Sequence, residues 1–157
     1  MAAAGGVPLA DLPPIIIGGM PRSGTTLAAQ LLGSHSEIAV PPAELAFFVG
    51  WRAGDDPSRR IDGHGELEER LRKLLPRLAQ WGFGEDELVS ESRDRVRTHR
   101  DLFVFLLDLY RRRAGKSRVG VKSVNYEDWL YVFDEWFDDY RFVHVVRHPV
   151  DAFASIK

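Results

Sequence analysis

The stretch Gly19-Met20-Pro21-Arg22-Ser23-Gly24-Thr25-Thr26 has the make-up of an anion cradle: two glycines bracket four residues, and hydroxyls follow the second. Backbone N–H groups in a tight turn and at a helix N-terminus converge on an anion. Glycines permit dihedrals and a close approach that a side chain blocks. Ser23, Thr25 and Thr26 add hydroxyl donors. The triphosphate version of such a loop, G-x-x-x-x-G-K-[ST], puts Lys directly after the second glycine. Here that position is Thr25, and the cation is Arg22, inside the loop. A triphosphate with Mg²⁺ fits this arrangement poorly.

A second stretch of interest is Val145-Val146-Arg147-His148-Pro149-Val150-Asp151-Ala152-Phe153-Ala154-Ser155. An Arg follows an apolar run here, and a Ser stands eight residues further on. An Arg fork pairs well with a phosphate, and a hydroxyl can donate from the opposite side.

Both stretches need elements to position them. Ile15-Ile16-Ile17 is a β-branched run ended by Gly18-Gly19 and suits a buried parallel strand. From Thr25 to Leu32 the pattern is helical, with Leu27, Leu31 and Leu32 on one face and Gly33 as its stop. Residues 35–44 read as a loop, held extended at Pro41-Pro42. Leu67, Leu71, Leu74, Leu75 and Leu78 predict a helix that Pro76 kinks or breaks. Thr98 with Asp101 reads as an N-cap and an acidic first turn, opening a helix that carries Leu102, Phe105, Leu106, Leu109 and Tyr110 and ends near Arg111-Arg112-Arg113 and Gly115. The basic triplet reads first as cations complementing the helix dipole and second as a patch for an acidic substrate. Val119-Gly120-Val121 predicts a strand leading into Lys122, and residues 126–137 predict a helix whose Trp129, Phe133, Trp136 and Phe137 fill the core. Residues 142–146 predict a third strand that delivers Arg147, followed by a helix from Val150 to Lys157. Strands alternating with helices imply an α/β fold with a mainly parallel sheet. Ligands bind such sheets beyond the carboxyl ends of the strands, where both stretches fall.

The string Pro21-Arg22-Ser23-Gly24-Thr25-Thr26 resembles the 5′-phosphosulfate-binding loop of sulfotransferases that use 3′-phosphoadenosine-5′-phosphosulfate (PAPS), above all the bacterial and tyrosyl-protein type. The Arg147 to Ser155 stretch is similar to the 3′-phosphate-binding segment of the same family. The resemblance implies a P-loop-type three-layer fold and PAPS as cosubstrate. It implies a 5′ site of Arg22, Ser23, Gly24, Thr25 and Thr26, and a 3′-phosphate site of Arg147 and Ser155. The cytosolic branch draws its base from the His of a K-T-H motif. The matching stretch here is Gly120-Val121-Lys122-Ser123-Val124, which keeps Lys122 but has Val124 in place of the His. Glu44, in Pro41-Pro42-Ala43-Glu44-Leu45, stands one residue from a Glu of the tyrosyl-protein and several bacterial members and becomes the expected base. Lys122 would neutralise charge on the sulfonate or bridging oxygen. The family plan continues past residue 157, so the expected layout is a loose lead-in over residues 1–14 and a C-terminally incomplete domain over residues 15–157.

Composition narrows the partners. A net charge of −2 gives no general attraction to nucleic acid or anionic membrane, so an anion site must be local. With no cysteines, disulfides, thiolate metal sites and cysteine nucleophiles are excluded. His35, His64, His99, His144 and His148 share no metal-ligand spacing, and no metal is expected. Residues 1–14 lack the basic and apolar regions of a signal peptide, and no apolar run reaches the roughly 20 residues of a membrane span. The expected setting is cytoplasmic, and the expected acceptor is a small molecule, a glycan or a peptide bearing a hydroxyl or amine. Two other readings stay open: a P-loop kinase or NTPase, and a nucleotide-binding fragment without catalysis.

Overall fold

The computed structural model describes residues 12–52 and 55–155. Four strands, β1 (Ile15–Gly18), β2 (Ile38–Ala39), β3 (Arg118–Lys122) and β4 (Arg141–His144), form one sheet in the order β2-β3-β1-β4. All pairings are parallel; Ile16 stands opposite Val121 on one side and Phe142 on the other. The fold is α/β with helices on both faces of the sheet. Side chains alternate across the central strand with the period of two that a strand imposes. Ile15 and Ile17 join Ala29 and Ile38 under helix α1 (Thr25–Gly33). Ile16, Val119 and Val121 face the larger core built by α2 (Gly63–Leu78), α3 (Glu85–Ser92), α4 (His99–Arg113) and α5 (Leu130–Trp136). A sixth helix, α6 (Pro149–Ala154), follows β4.

The α4 start follows the expected chemistry. Thr98 Oγ1 accepts from the Asp101 N–H at 3.0 Å, and Asp101 Oδ2 accepts from the Thr98 N–H at 3.0 Å, a complete capping box. Gly115, at φ 65°, lies just past the helix end. Of the four aromatics expected in the core, Phe133, Trp136 and Phe137 are buried, and Trp129 is half-buried against it.

Several expectations are corrected. The core side of α1 is not its leucine face: Leu27 and Leu31 are exposed, and Thr25 and Ala29 are buried, because the small residues let the helix lie close to the sheet. Gly33 belongs to that helix, and Ser34 caps it. The 35–44 loop contains the two-residue strand β2, too short to show a period. Pro76 does not break α2; it lies in the last turn, where its missing N–H removes one helical bond two residues before the end. Helix α3 was not foreseen, since its eight residues carry few apolar positions. The 126–137 segment is a 3₁₀ turn over Tyr126–Trp129 followed by α5. Strand β4 starts at Arg141 and stops at His144, so Arg147 lies three residues past the strand, in a loop.

Leu12 and Pro14, at the end of the expected lead-in, are buried, and the Pro14 carbonyl accepts from the Arg141 N–H at 3.0 Å. Residues 1–11 of that lead-in, and Ile156 and Lys157 of the final predicted helix, lie outside the described residues. Among the described residues no helix is long and apolar enough to cross a membrane, and no cluster of potential ligands could hold a metal ion.

Candidate functional site

Strand β1 ends at Gly18, and the chain turns at once into the glycine loop. Gly19 lies at φ 153°; a Cβ there would come within 2.5 Å of the Val145 carbonyl oxygen and 2.8 Å of Ser23 Oγ. The loop can therefore lie against the segment leaving β4 only because Gly19 has no side chain. Gly24, at φ 106°, precedes the first residue of α1 and turns the chain into the helix. Arg22 also takes a left-handed conformation, φ 68°, which is uncommon for a residue with a Cβ and marks stored backbone strain of about 1–2 kcal/mol.

Two sequence-distant segments meet here. Arg22 Nε donates to Ser155 Oγ at 3.3 Å, across 133 residues of sequence. Arg147 Nη1 donates to the Arg22 carbonyl at 3.4 Å. Ser155 in turn donates to the Ala152 carbonyl at 2.7 Å. A cavity of about 350 Å³ opens between the segments, lined among others by Met20, Ser23, His144, Arg147 and Phe153. Ser23 Oγ is buried and has no hydrogen-bond partner among the described residues, the kind of group that a bound polar ligand satisfies. Thr25 is also buried, so it serves packing as well as any ligand.

The remaining candidates join the loop from β3. Lys122, the last residue of that strand, donates from Nζ to Thr26 Oγ1 at 3.1 Å. The cation missing after the second glycine is thus supplied to the helix start by a neighbouring strand. The Lys122 carbonyl accepts from the Leu45 N–H at 3.1 Å, which ties the residue after Glu44 to the same strand end. Tyr126, buried just past β3, donates its hydroxyl to the Leu45 carbonyl, and Trp81 Nε1 donates to the Ala43 carbonyl at 2.9 Å. Glu44 is therefore held between two anchored neighbours. Its carboxylate is mostly buried and faces Arg77 Nη2 at 3.4 Å. Burial first, and the Glu44 charge second, push the Tyr126 phenol well above its usual range, so it stays a donor.

Hydrogen bonds thus join Arg22, Arg147 and Ser155 in one group and Lys122 with Thr26 in another, while the Glu44 carboxylate faces Arg77. Sequence reasoning missed the contributions of Met20, Tyr126 and Glu127. Glu127 Oε2 is buried against Gly18 without a partner among the described residues, Glu127 lines the same cavity, and no motif marks it. The basic triplet ending α4 is consumed internally. Arg111 and Arg112 pair with the buried Asp108 at 2.7 and 3.0 Å, Arg95 adds a third cation at 3.4 Å, and Arg113 pairs with Glu87. No patch for an acidic substrate remains there.

Protein-tyrosine sulfotransferase 1 of Homo sapiens is 37% identical to this chain over 71 residues, which cover 41% of the chain and 19% of that protein. Protein-tyrosine sulfotransferase 2 of Gallus gallus is 34% identical over 67 residues, covering 39% of the chain and 18% of the relative. An uncharacterized protein of Aquifex aeolicus is 62% identical over 69 residues, 38% of the chain and 9% of that protein. The match to the tyrosine sulfotransferases thus spans about a fifth of their length. No solved structure matches the chain. The description "Sulfotransferase family" fits residues 13–157, a span that holds the glycine loop, Glu44, Lys122 and the Arg147 to Ser155 segment together, and on that match the chain belongs to the sulfotransferase family.

Proposed function

We propose that the protein transfers a sulfuryl group from PAPS to a hydroxyl or amine acceptor, with Glu44 as base. The observation that carries this reading is the meeting of Arg22 with Ser155 and Arg147 beside a cavity that holds the unpartnered Ser23 hydroxyl. One phosphate at the glycine loop and another at Arg147 and Ser155 match a nucleotide phosphorylated at both its 5′ and 3′ positions. Loop amides and the hydroxyls of Ser23, Thr25 and Thr26 would hold the 5′-phosphosulfate, with Arg22 neutralising part of its charge. PAPS supplies an activated sulfuryl group whose leaving oxygen belongs to a phosphate.

Glu44 would accept the acceptor's proton as the acceptor oxygen or nitrogen bonds to sulfur. The bond between sulfur and the bridging oxygen breaks, and its electron pair leaves with 3′-phosphoadenosine-5′-phosphate. Lys122, at the α1 start, is suited to stabilise charge growing on that bridging oxygen. Its approach from β3 and the absence of a lysine in the loop favour this chemistry over a kinase or NTPase reaction. The names of the tyrosine sulfotransferases make a phenolic hydroxyl one acceptor to test. The direct experiment incubates the protein with PAPS and a panel of hydroxyl and amine acceptors and measures both sulfated product and 3′-phosphoadenosine-5′-phosphate by mass spectrometry. Equal amounts of the two, formed in the presence of a chelator, support the reading. Turnover of ATP without turnover of PAPS would overturn it.

A further inference from the structure

A second cavity, of about 390 Å³, lies outside the nucleotide network. It is walled by Gly50 and Trp51, the 55–59 segment, residues 66–73 of α2 and the N-terminal end of α4. Helix α4 leads into β3 through residues 114–117 and packs against it. Arg70 Nη2 donates to the Phe47 carbonyl at 3.3 Å, which ties this cavity to the segment that follows Glu44. Along α2, Arg70 at this cavity and Arg77 beside Glu44 are seven residues apart, about 10 Å at 1.5 Å per residue.

Three polar groups of this cavity have no partner among the described residues: Trp51 Nε1, Arg70 Nε and His99 Nδ1. His99 is 3% exposed. Its other nitrogen, Nε2, lies 3.9 Å from Glu66 Oε1. Burial, and then the Arg70 charge, lower the His99 pKa to about 4, so the ring is neutral at pH 7. A proton on Nε2, facing Glu66, leaves Nδ1 as an acceptor. The unpartnered set is then two N–H donors and one acceptor. A carboxylate cannot donate to Nδ1, and an ammonium cannot accept from the indole or guanidinium. A hydroxyl does both.

The rest of the lining extends the argument from one hydroxyl to several. Eight of the ten lining residues are charged or histidine, with both signs present, and Glu66 and Glu69 are already paired with Arg59 and Lys73. Trp51 is the one aromatic carbocycle among the described lining residues, and the Arg70 guanidinium lies 5.2 Å from its ring centre. Such a wall offers little to a tyrosyl ring and much to a neutral group rich in hydroxyls. We propose that this cavity is the acceptor-side pocket and takes a saccharide, its far end held by Trp51, Arg70 and His99 while another hydroxyl reaches toward Glu44. The proposal rests on the sulfotransferase reading for its link to Glu44, but saccharide binding itself does not require the nucleotide.

Saturation-transfer NMR with maltose and lactose as probes tests this, alongside calorimetry with 3′-phosphoadenosine-5′-phosphate. Saturation should reach the sugar protons with or without nucleotide. Trp51→Phe keeps an aromatic ring but loses the N–H, and Arg70→Gln loses the guanidinium. Each should weaken the sugar response roughly 3- to 10-fold, the scale of one lost hydrogen bond, with nucleotide affinity unchanged. If Arg70→Gln does not fold, Trp51→Phe carries the comparison alone. No saturation of either sugar overturns the proposal, as does a response that both folded variants preserve, or one in which a tyrosine-containing peptide displaces the sugars. Loss of nucleotide binding with sugar binding intact counts against the nucleotide site and leaves the pocket assignment standing.

Discussion

Glu44 and Lys122 share one strand end yet would act by different routes, and paired variants can separate them. Glu44→Gln keeps size and most hydrogen bonding but cannot take a proton at neutral pH. It should cut turnover about 10²–10⁴-fold with donor-nucleotide affinity nearly intact. Lys122→Ala should cut turnover through lost charge stabilisation and also weaken nucleotide binding, since its ammonium lies on the Thr26 hydroxyl. Steady-state kinetics with parallel calorimetry distinguish the two. A Glu44→Gln enzyme at the parental rate would leave Glu44 as no more than the partner of Arg77. His99 gives a stability test at the same scale. Its folded pKa, about 4, lies below the usual 6.5, so the unfolded chain binds more protons between those values. Its contribution is complete above about pH 6.5 and is lost as pH falls toward 4. The loss integrates to roughly 3 kcal/mol at 1.36 kcal/mol per pH unit. The groups facing the ring are Glu66, Arg70, Arg59 and Asp56. Denaturant titrations from pH 7 to pH 4 should show a shallower decline for His99→Gln than for the parent. Glu66 acts with the same sign at lower pH: burial pushes its carboxyl up, but the Arg59 hydrogen bond and the Asp62 N–H outweigh that and hold it below the usual range, so its contribution is lost only below about pH 4.5.

At the scale of the elements, the loop between β1 and α1 is where sequence and geometry agree most closely, and the reason is steric. Gly19 is needed because the Val145 carbonyl leaves no room for a Cβ. Gly19→Ala should therefore destabilise the protein by about 1–3 kcal/mol, as overpacking does, and displace the loop from Val145. Gly65→Ala, in α2 with open space around it, should be neutral or stabilising by about 0.4–1 kcal/mol. Thermal unfolding of the pair checks both. The loop, its strand and its helix were legible because turn chemistry and hydroxyl spacing are local properties. The α4 start was legible for the same reason, through Thr98 and Asp101. What was not legible depends on neighbours distant in sequence. The burial of Thr25 and Ala29 instead of Leu27 and Leu31 is set by how closely α1 lies on the sheet. β2 exists because β3 pairs with it. Trp51, Arg70 and His99 come from three separate segments, with no spacing that joins them.

For the whole molecule, the sheet is a platform that brings the two segments proposed to bind anions together at one edge. Strand order does this: β1 and β4 are neighbours, so the loop leaving one and the segment leaving the other must share a rim, although some 125 residues separate Arg22 from Arg147. The most direct measurement is calorimetric comparison of 3′-phosphoadenosine-5′-phosphate with adenosine 5′-monophosphate, which lacks only the 3′-phosphate. The account predicts tighter binding of the former, with the difference shrinking in Arg147→Ala as roughly 1.5–3 kcal/mol of charge-assisted hydrogen bonding is lost. Equal affinity for the two nucleotides in the parent protein would contradict it.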